Sequence, residues 1–231
     1  MTEPRSYRQH RFQAPPGATE LLLVRHGESQ AAVEGQPFAL VGGHGDPPLS
    51  PEGQEQAAKV CARLGTEQVD AIYVSTLRRT AETAAALAAA LGVTPVVDPD
   101  LREVHLGEWE GGLFRQKIAE GDPIAVRMYT EERWDVIPGA EPSDAFAARA
   151  RAAVERIAAT HPDQRVAVFA HGGIIGQILS MATASRPFAF SGADNASISH
   201  IVVANDRWIV RRFNDTTHLD PALTARPTPL T

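Results

Sequence analysis

A short apolar run that stops abruptly at charge and glycine constrains the fold of this chain more than any other feature. Residues 21–24 are Leu-Leu-Leu-Val, and Arg25, His26 and Gly27 follow at once. Such a run is typical of a strand buried on both faces of a sheet, and we expect the strand to span 19–25. The pattern recurs at a predicted strand 69–74, followed by Ser75 to Arg79, and at 165–170, followed by His171, Gly172 and Gly173.

Predicted helices separate these strands. Ser50 suits an N-cap and Pro51 the first helical position, and apolar residues then recur at 57, 60, 61 and 64, which makes one buried face. Strands alternate with helices almost throughout, so the sequence predicts an α/β layered sandwich around a mainly parallel sheet. The remaining predictions are helices at 77–91, 143–160 and 173–184, strands at 93–97, 198–204 and 208–213, a loop at 33–48, and an irregular segment at 98–142 that is either functional or holds short helices of its own.

The chain has 231 residues, which suits one sizeable domain with a real core. We expect a flexible N-terminal tail at 1–18, a single domain at 19–215 and a C-terminal tail at 216–231. The formal net charge of −6 argues against a partner such as nucleic acid or an anionic membrane, since proteins of those classes carry a basic face.

The sequence carries no feature of a secreted or membrane protein. No apolar run approaches the roughly 20 residues that a membrane helix needs, and the polar start lacks the apolar core of a signal peptide. Cys61 is the single cysteine, so no internal disulfide is available, and we expect an inert, buried thiol. A cytoplasmic protein is therefore the expectation.

Three polar motifs follow three predicted strands at their carboxyl ends. Ligands bind at that edge of an open parallel sheet, so we expect the motifs to converge there. They would gather two histidines, two or three arginines, glycines and a helix N-terminus. Arginine forks and helix N–H groups bind phosphate oxygens, and a histidine among them can donate to the phosphoryl group or attack phosphorus. The neighbouring arginines would disfavour the imidazolium and stabilise the charged transition state.

A leaving oxygen also needs a proton. The segment after the strand predicted at 93–97 offers three carboxyl groups, Glu103, Glu108 and Glu110. A carboxyl near a phosphate dianion can act as a general acid. Chemistry alone does not choose among the three.

Four motifs together resemble the histidine phosphatase superfamily, the phosphoglycerate-mutase-like proteins. They are Leu-Val-Arg-His-Gly-Glu-Ser, Ser-x-Leu-x-Arg, Leu-Arg-Glu-x-x-x-Gly-x-Trp-Glu-Gly and Ala-His-Gly-Gly, in the family's order from about residue 20 to 215. The resemblance implies a three-layer α/β/α sandwich with a mixed, mainly parallel sheet, a catalytic domain at 19–215, and neither a metal nor another cofactor.

The resemblance also implies a role for each matched residue. His26 would be the phosphorylated nucleophile, and Arg25, Arg79 and His171 would hold the phosphoryl group. The family's arginine is the fifth residue of the serine motif, which selects Arg79 over its neighbour. Glu103 would donate the proton and then activate water. We add Gly172, Ser29 and His44 as candidate contacts of the phosphate or substrate.

Two departures bear on the reaction. Many members carry an asparagine six residues after the nucleophile, where this chain has Ala32, and the segment 33–48 differs from that of the mutases. Both count against return of the phosphoryl group to a substrate and favour hydrolysis. Glu141 is retained, and we expect it to face the substrate entrance. Segments 33–48 and 105–142 would recognise the rest of the ligand, whose identity the sequence does not give.

Three functions follow from these features. The leading hypothesis is a phosphomonoesterase that acts on a small phosphorylated metabolite through a phosphohistidine. The second is a 2,3-bisphosphoglycerate-dependent phosphoglycerate mutase, and the third is a non-catalytic protein that binds a phosphate ligand. The sequence is also consistent with a homodimer formed through a sheet edge.

Overall fold

Six strands form one mixed sheet that carries the polar motifs at one edge. The computed structural model describes residues 5–205 and 207–220. Within that part the strands are β1 (Thr19–Arg25), β2 (Leu40–Val41), β3 (His44–Gly45), β4 (Ala71–Val74), β5 (Val96–Val97), β6 (Arg165–Ala170), β7 (Ile198–Ala204) and β8 (Arg207–Asp215). The α-helices are α1 (Pro51–Leu64), α2 (Arg78–Leu91), α3 (Leu113–Glu120), α4 (Pro123–Glu131), α5 (Ser143–Thr160) and α6 (Gly172–Thr183).

The strand order in the sheet is β5-β4-β6-β1-β7-β8. Strands β5, β4, β6 and β1 run parallel, whereas β7 and β8 add an antiparallel end. Strand β1 is central, because Leu22 pairs with Ala167 of β6 on one side and with His200 of β7 on the other. The prediction of a mainly parallel, mixed sheet is confirmed.

Both faces of the sheet are covered, which explains the uninterrupted apolar run in β1. Leu21 and Leu23 face a core that includes α5 and α6, whereas Leu22 and Val24 face a second core that includes α1 and α2. Alternate residues of a strand point to opposite faces, so a strand between two helical layers needs apolar residues at every position. The three-layer α/β/α arrangement is therefore confirmed.

Several predicted boundaries match the structure and others do not. The strands at 19–25, 165–170 and 198–204 and the helix at 143–160 have the predicted bounds. The strand predicted at 93–97 is wrong in length, because only Val96–Val97 pair with β4. Gly92 ends α2 in the left-handed conformation and the Val93 N–H bonds back to Ala88, so the chain is still closing the helix where the strand was expected.

The other boundaries shift by one or two residues. The strand predicted at 69–74 begins at Ala71, and the one at 208–213 extends over Arg207–Asp215. The helix predicted at 77–91 begins at Arg78, with Leu77 as its N-cap, and the one at 173–184 spans Gly172–Thr183.

The two irregular segments contain short elements. Segment 33–48 holds the β2–β3 hairpin, and segment 98–142 holds α3, α4 and the 3₁₀ turns Pro99–Leu101, Gly107–Trp109 and Trp134–Val136. The second segment has a small core of its own, formed by Trp109, Ala125, Met128 and Ile137. The expectation of short helices there is confirmed.

Two further expectations have mixed outcomes. Ser50 caps α1 by accepting the Gly53 N–H at 3.0 Å, as predicted. The prediction of a buried Cys61 is wrong, since this side chain is only partly buried where it packs against the core beneath α1. Of the predicted tails, residues 1–4 and 221–231 lie outside the described residues, and no helix in the described part has the length and apolar character needed to span a bilayer.

The loop after β1 packs directly on the first turn of α1, and this close approach requires glycine. A Cβ at Gly53 would lie 2.0 Å from the carbonyl oxygen of Glu28, and a Cβ at Gly27 would lie 2.5 Å from that of Gly53. Two backbones therefore touch where β1 delivers its polar residues to the sheet edge.

We predict that Gly53→Ala destabilises the fold. Alanine is favoured over glycine in a helix by about 1 kcal/mol, but overpacking costs about 1–3 kcal/mol and here the clash is with backbone. A net loss of about 2 kcal/mol in the free energy of unfolding is expected from urea denaturation. The control is Gln54→Ala, at the next, exposed position, which should change that free energy by less than about 0.5 kcal/mol. Equal stability of the two variants would contradict the prediction.

Candidate active site

The three motifs converge at the carboxyl edge of the sheet, as predicted. They open onto a cavity of about 1100 Å³ whose lining includes Arg25, His26, Arg79, Glu103 and Gly172. The strands β1, β6 and β4 are neighbours, so the residues that follow them are held side by side. The order of the strands therefore brings the three motifs together, as the sequence predicts.

His26 is held as a neutral ring in which Nδ1 carries the hydrogen and Nε2 carries a lone pair. Its Nδ1 lies 2.7 Å from the carbonyl oxygen of Gly27, and because a carbonyl only accepts, Nδ1 carries the hydrogen. The lone pair of Nε2 accepts from Nε of Arg79 at 3.1 Å. Burial, followed by the charges of Arg79 and Arg25, holds the pKa of His26 well below its ordinary value. A neutral imidazole whose Nε2 carries a lone pair and no hydrogen is the nucleophilic form, and here Arg79 orients that lone pair.

Two arginines flank this ring from different elements. Arg25 ends β1 and its guanidinium donates to the carbonyl oxygen of Ala193. Arg79 lies in the first turn of α2, donates to the carbonyl oxygen of Gly45 at 3.0 Å, and has its pKa lowered to about 10, chiefly by burial. Two desolvated guanidinium groups beside His26 form a site for a dianion.

The neighbouring Arg78 is placed differently. It is exposed, and its Nε donates to Glu82 one turn further along α2, at 2.8 Å. Successive residues of a helix point about 100° apart, so only one of the two arginines can face the cavity. The structure places Arg79 there.

His171 lies beside His26 but is not among the residues that line the cavity. The ring centroids are 5.1 Å apart, and His171 is fully buried. Its Nε2 lies 2.8 Å from Oγ of Ser75, whereas its Nδ1 has no hydrogen-bond partner among the described residues. Burial and the charge of Arg79 hold the pKa of His171 well below its ordinary value.

Of the three candidate carboxyl groups, Glu103 and Glu110 line the cavity, and Glu103 is the one held by the first turn of α6. Its two oxygens accept the N–H groups of Gly173 at 2.9 Å and Ile174 at 3.1 Å, at the positive end of α6. A Cβ at Gly173 would lie 2.5 Å from Oε1 of Glu103, so the second glycine of the His-Gly-Gly motif makes room for this carboxylate.

The two other candidate carboxyl groups are used elsewhere. Glu110 supports the loop by accepting the N–H of Leu106 at 2.9 Å and of Gly45 at 2.7 Å. Glu108 is exposed and does not line the cavity. The structure therefore separates three carboxyl groups that sequence chemistry left equivalent.

The candidate substrate contacts Ser29 and His44 also line the cavity. His44 is buried, its Nδ1 donates to the carbonyl oxygen of Gly42 at 3.1 Å, and its Nε2 has no partner among the described residues. The expectation for Glu141 is wrong. It pairs with Arg149 of α5 at 2.7 Å and is not part of the cavity lining.

Sequence reasoning missed Arg115. This residue, on α3, donates to Oγ of Ser29 at 2.6 Å and to the carbonyl oxygen of Gln30 at 2.8 Å, and it lines the cavity. Its charge contributes to lowering the pKa of His26. No motif marks Arg115, because its position depends on how α3 folds over the sheet edge. Ala32, where the family often has asparagine, lines the same region.

Asn195 was also missed. Its Nδ2 donates to the backbone carbonyl of His26 at 3.1 Å, and the N–H of Ala196 donates to the same oxygen at 3.2 Å. These bonds fix the backbone of His26 from the segment that leads into β7, the neighbour of β1 in the sheet. Among the described residues, no group of three or more His, Cys, Asp or Glu side chains is placed to hold a metal ion.

Comparison with known proteins agrees with this geometry. A family model described as the histidine phosphatase superfamily (branch 1) matches residues 21–216. The chain is 35% identical to phosphoglycerate mutase-like protein 4 of Arabidopsis thaliana, with 87% of each protein covered. It is 33% identical to the metal-independent phosphoserine phosphatase of the same plant, with 87% of this chain and 83% of the relative covered.

A solved structure is similar over nearly its whole length. It is a mycobacterial glucosyl-3-phosphoglycerate phosphatase in complex with VO3, with 32% sequence identity and a TM-score of 0.72. The alignment covers 85% of this chain and 99% of that one.

The burial of two neutral histidines predicts a pH dependence of stability. In the unfolded chain both rings take up a proton below about pH 6.5, whereas the lowered pKa values keep them neutral in the folded protein. The unfolded state then binds more protons, so the free energy of unfolding falls as the pH drops below about 6.5.

Urea denaturation between about pH 8 and pH 5 measures this effect. The double variant His26→Gln, His171→Gln should show a flatter decline than the wild type. The control His10→Gln, at an exposed position, should decline as the wild type does. An unchanged slope in the double variant would refute the assignment.

Proposed function

The chain belongs to branch 1 of the histidine phosphatase superfamily, and from this we propose that it is a phosphomonoesterase acting through a phosphohistidine on His26. The observation that carries the proposal is the neutral His26 ring, whose Nε2 lone pair faces a cavity lined by arginines. Its relatives include enzymes named as phosphatases of small phosphorylated metabolites, phosphoserine and glucosyl-3-phosphoglycerate. A small phosphate monoester is the substrate that this site fits.

In the first step Nε2 of His26 attacks phosphorus. The new N–P bond forms as the bond from phosphorus to the ester oxygen breaks, and Glu103, which has to enter this step as the neutral acid, gives its proton to the departing oxygen. Arg25 and Arg79 neutralise the charge on the equatorial oxygens, which are richest in charge in the transition state. The hydrogen bond from Nδ1 to Gly27 disperses the positive charge that His26 gains.

In the second step water attacks the phosphohistidine. Glu103, now a carboxylate, takes a proton from the water as the O–P bond forms and the N–P bond breaks. Inorganic phosphate leaves, and Nε2 of His26 recovers its lone pair. The backbone N–H groups of Gly173 and Ile174 keep the Glu103 carboxylate in place through both steps.

We assign His171 to the phosphoryl group through Nδ1. Ser75 Oγ accepts the N–H of Leu77 at 3.2 Å and has one hydrogen of its own. When Ser75 Oγ donates its hydrogen bond to Nε2 of His171, the ring hydrogen is on Nδ1. Nδ1 can then donate a hydrogen bond to a phosphoryl oxygen. This donor nitrogen beside His26 would add to the phosphate contacts of Arg25 and Arg79.

The remaining contacts are proposed from their place in the cavity. Gly172 lies at the N-terminus of α6, next to the guanidinium of Arg25, so its backbone can approach a phosphoryl oxygen. Ser29 and His44 also line the cavity, and Nε2 of His44, which has no partner among the described residues, can accept a hydroxyl of the substrate. Arg115, whose charge also lowers the pKa of His26, adds a third cation to the cavity lining.

The second candidate is a phosphoglycerate mutase, since a relative at 32% identity is named a probable phosphoglycerate mutase. It would use the same phosphohistidine but return the group to the substrate. A coupled assay that converts 3-phosphoglycerate to 2-phosphoglycerate, without net release of phosphate, would select it. Binding of phosphate esters without turnover would instead select a non-catalytic binding protein.

Two properties of the whole protein are proposed as well. We propose a cytoplasmic location, because a chain with one cysteine forms no internal disulfide, as is usual in a reducing compartment. We also propose a homodimer through a sheet edge, since the side chains of the edge strand β5, Val96 and Val97, are exposed. Sedimentation of the purified protein measures the second property.

We predict that His26→Ala abolishes phosphate release. Loss of a nucleophile costs at least about 10³-fold in turnover. With 4-nitrophenyl phosphate as substrate, a chelator should leave the wild-type rate unchanged. The control is Arg78→Ala, which alters an exposed arginine outside the cavity and should stay near the wild-type rate. Wild-type turnover in His26→Ala, or inhibition by the chelator, would refute the mechanism.

We predict that Glu103→Gln slows alkyl phosphates more than 4-nitrophenyl phosphate. Removing a general acid costs about 10²–10⁴-fold when the leaving group needs a proton, and much less when it leaves as a stable anion. The matched control is Glu108→Gln, an exposed carboxyl of the same segment, which should leave both rates unchanged. Equal losses on the two esters in Glu103→Gln would remove this residue as the proton donor.

A further inference from the structure

Aromatic rings line the part of the cavity that the phosphoryl group does not need. Centroid distances of 6.3 Å, 6.1 Å and 4.9 Å link Trp109 to Phe114, Phe114 to Trp134, and Trp134 to Phe188. Tyr129 lies 6.3 Å from Phe188 and also lines the cavity. These five residues are called the aromatic wall below; four belong to segment 98–142, and Phe188 follows α6.

The aromatic wall is not wholly used up in packing. Trp109 is buried in the small core of segment 98–142, but the other four rings are only partly buried. Their exposed faces border the cavity, together with the aliphatic side chains of Leu106 and Leu113. Burial of such an apolar surface beneath a ligand contributes favourably to the free energy of binding.

The cavity is much larger than a phosphoryl group requires. Its volume of about 1100 Å³ is at the upper end of the range of pockets that bind drug-sized molecules, about 300–1,000 Å³. A leaving group with the size of a substituted ring therefore fits beside the bound phosphoryl group.

Charge is divided unevenly along the cavity. Its three lining arginines, Arg25, Arg79 and Arg115, all act on His26, whose pKa each of them lowers. Apart from Glu103, the other charged side chains among the described lining residues are carboxylates: Glu28, Glu34, Glu110 and Glu120. A second anionic group on the substrate would approach like charges there, and that costs free energy.

We infer that the preferred substrate is the phosphate monoester of an uncharged alcohol that carries an apolar ring, with the ring against the aromatic wall. The inference rests on the proposed phosphatase function and specifies the leaving group. The arginines bind the phosphoryl dianion, the aromatic wall binds the ring, and the surrounding carboxylates select against a second anion.

The test compares esters whose leaving groups have the same acidity. Phosphate release is measured for 3-phenylpropyl phosphate, propyl phosphate and 4-phosphooxybutanoate, and kcat/KM is determined for each. All three leave as primary alkanols, so differences report binding of the remainder. We expect kcat/KM for the phenyl ester to exceed that for the propyl ester at least about tenfold, since burying even one methylene is worth about that much. We expect the carboxylate ester to fall below the propyl ester.

Variants connect the preference to the wall. Phe188→Ala should lower the ratio of phenyl to propyl ester about tenfold, and Phe114→Ala should do the same from α3, so that a folding failure of one leaves the other. The matched control is Phe190→Ala, two residues away, whose ring packs on Phe213 at 5.3 Å and does not line the cavity. This control should keep the wild-type ratio.

The outcomes separate the inference from the proposed function. A wild-type ratio near one, a preference for the carboxylate ester, or an unchanged ratio in the folded wall variants would overturn the inference while the phosphatase stands. If no ester releases phosphate, the phosphatase function fails, and calorimetric affinities for the phenyl and propyl esters then decide the ring preference by the same ratio.

Discussion

The pairing of β1 with β6 is the interaction on which the site depends. The parallel ladder runs to Arg25 opposite Ala170, and the N–H of His26 then bonds to the carbonyl of Ala170 at 3.0 Å, one residue beyond the strand. The next residue of the second chain segment is His171, so the two histidines come to lie side by side. Their 5.1 Å separation therefore follows from backbone hydrogen bonds, without any need for the side chains to find each other. Shifting the register of this ladder by one residue would move every functional side chain at the edge.

The electrostatic state of the site follows from this placement. His26 and His171 are removed from water together and lie next to Arg79 and Arg25, so both effects favour neutral rings. Such a collection of cations needs compensation, and the carboxylate of Glu103 raises the pKa of both Arg25 and Arg79, against the effect of burial. Glu103 is itself held by the N-terminus of α6. The same carboxylate that is proposed to move the proton thus also stabilises the charged forms of Arg25 and Arg79.

What could be predicted from the sequence corresponds to what is local. The strands at 19–25 and 165–170 are continuous apolar runs buried on both faces, and their carboxyl ends had to meet at one edge of a parallel sheet. Contacts that depend on distant segments could not be seen. Glu141 was expected at the entrance because its neighbourhood does not show that Arg149, eight residues further on, pairs with it while also binding backbone carbonyls at residues 100, 102 and 103.

The same limit applies to Arg115 and Glu103. Arg115 reaches the cavity only through the way α3 covers the sheet edge, and the sequence around it has no marker of that position. The choice of Glu103 among three carboxyl groups needed the family resemblance, because the physical reason lies in Gly173 and Ile174, 70 residues and more along the chain. Spacing within one segment cannot reveal which carboxylate a remote helix will bind.

The cavity is built from two parts that can vary independently. The end proposed to bind the phosphoryl group is formed by residues at strand ends, where a displaced backbone would disturb the central sheet. The other end is formed largely by α3, α4 and 3₁₀ turns, which pack on a separate core of Trp109, Ala125, Met128 and Ile137. Substitutions in that core and in the rings above it change the shape and polarity offered to the leaving group without touching the β1–β6 ladder. A chemical step fixed by the sheet can therefore act on different phosphate esters when segment 98–142 changes. Substrate preference then depends on the rings and carboxylates of that segment rather than on the motifs.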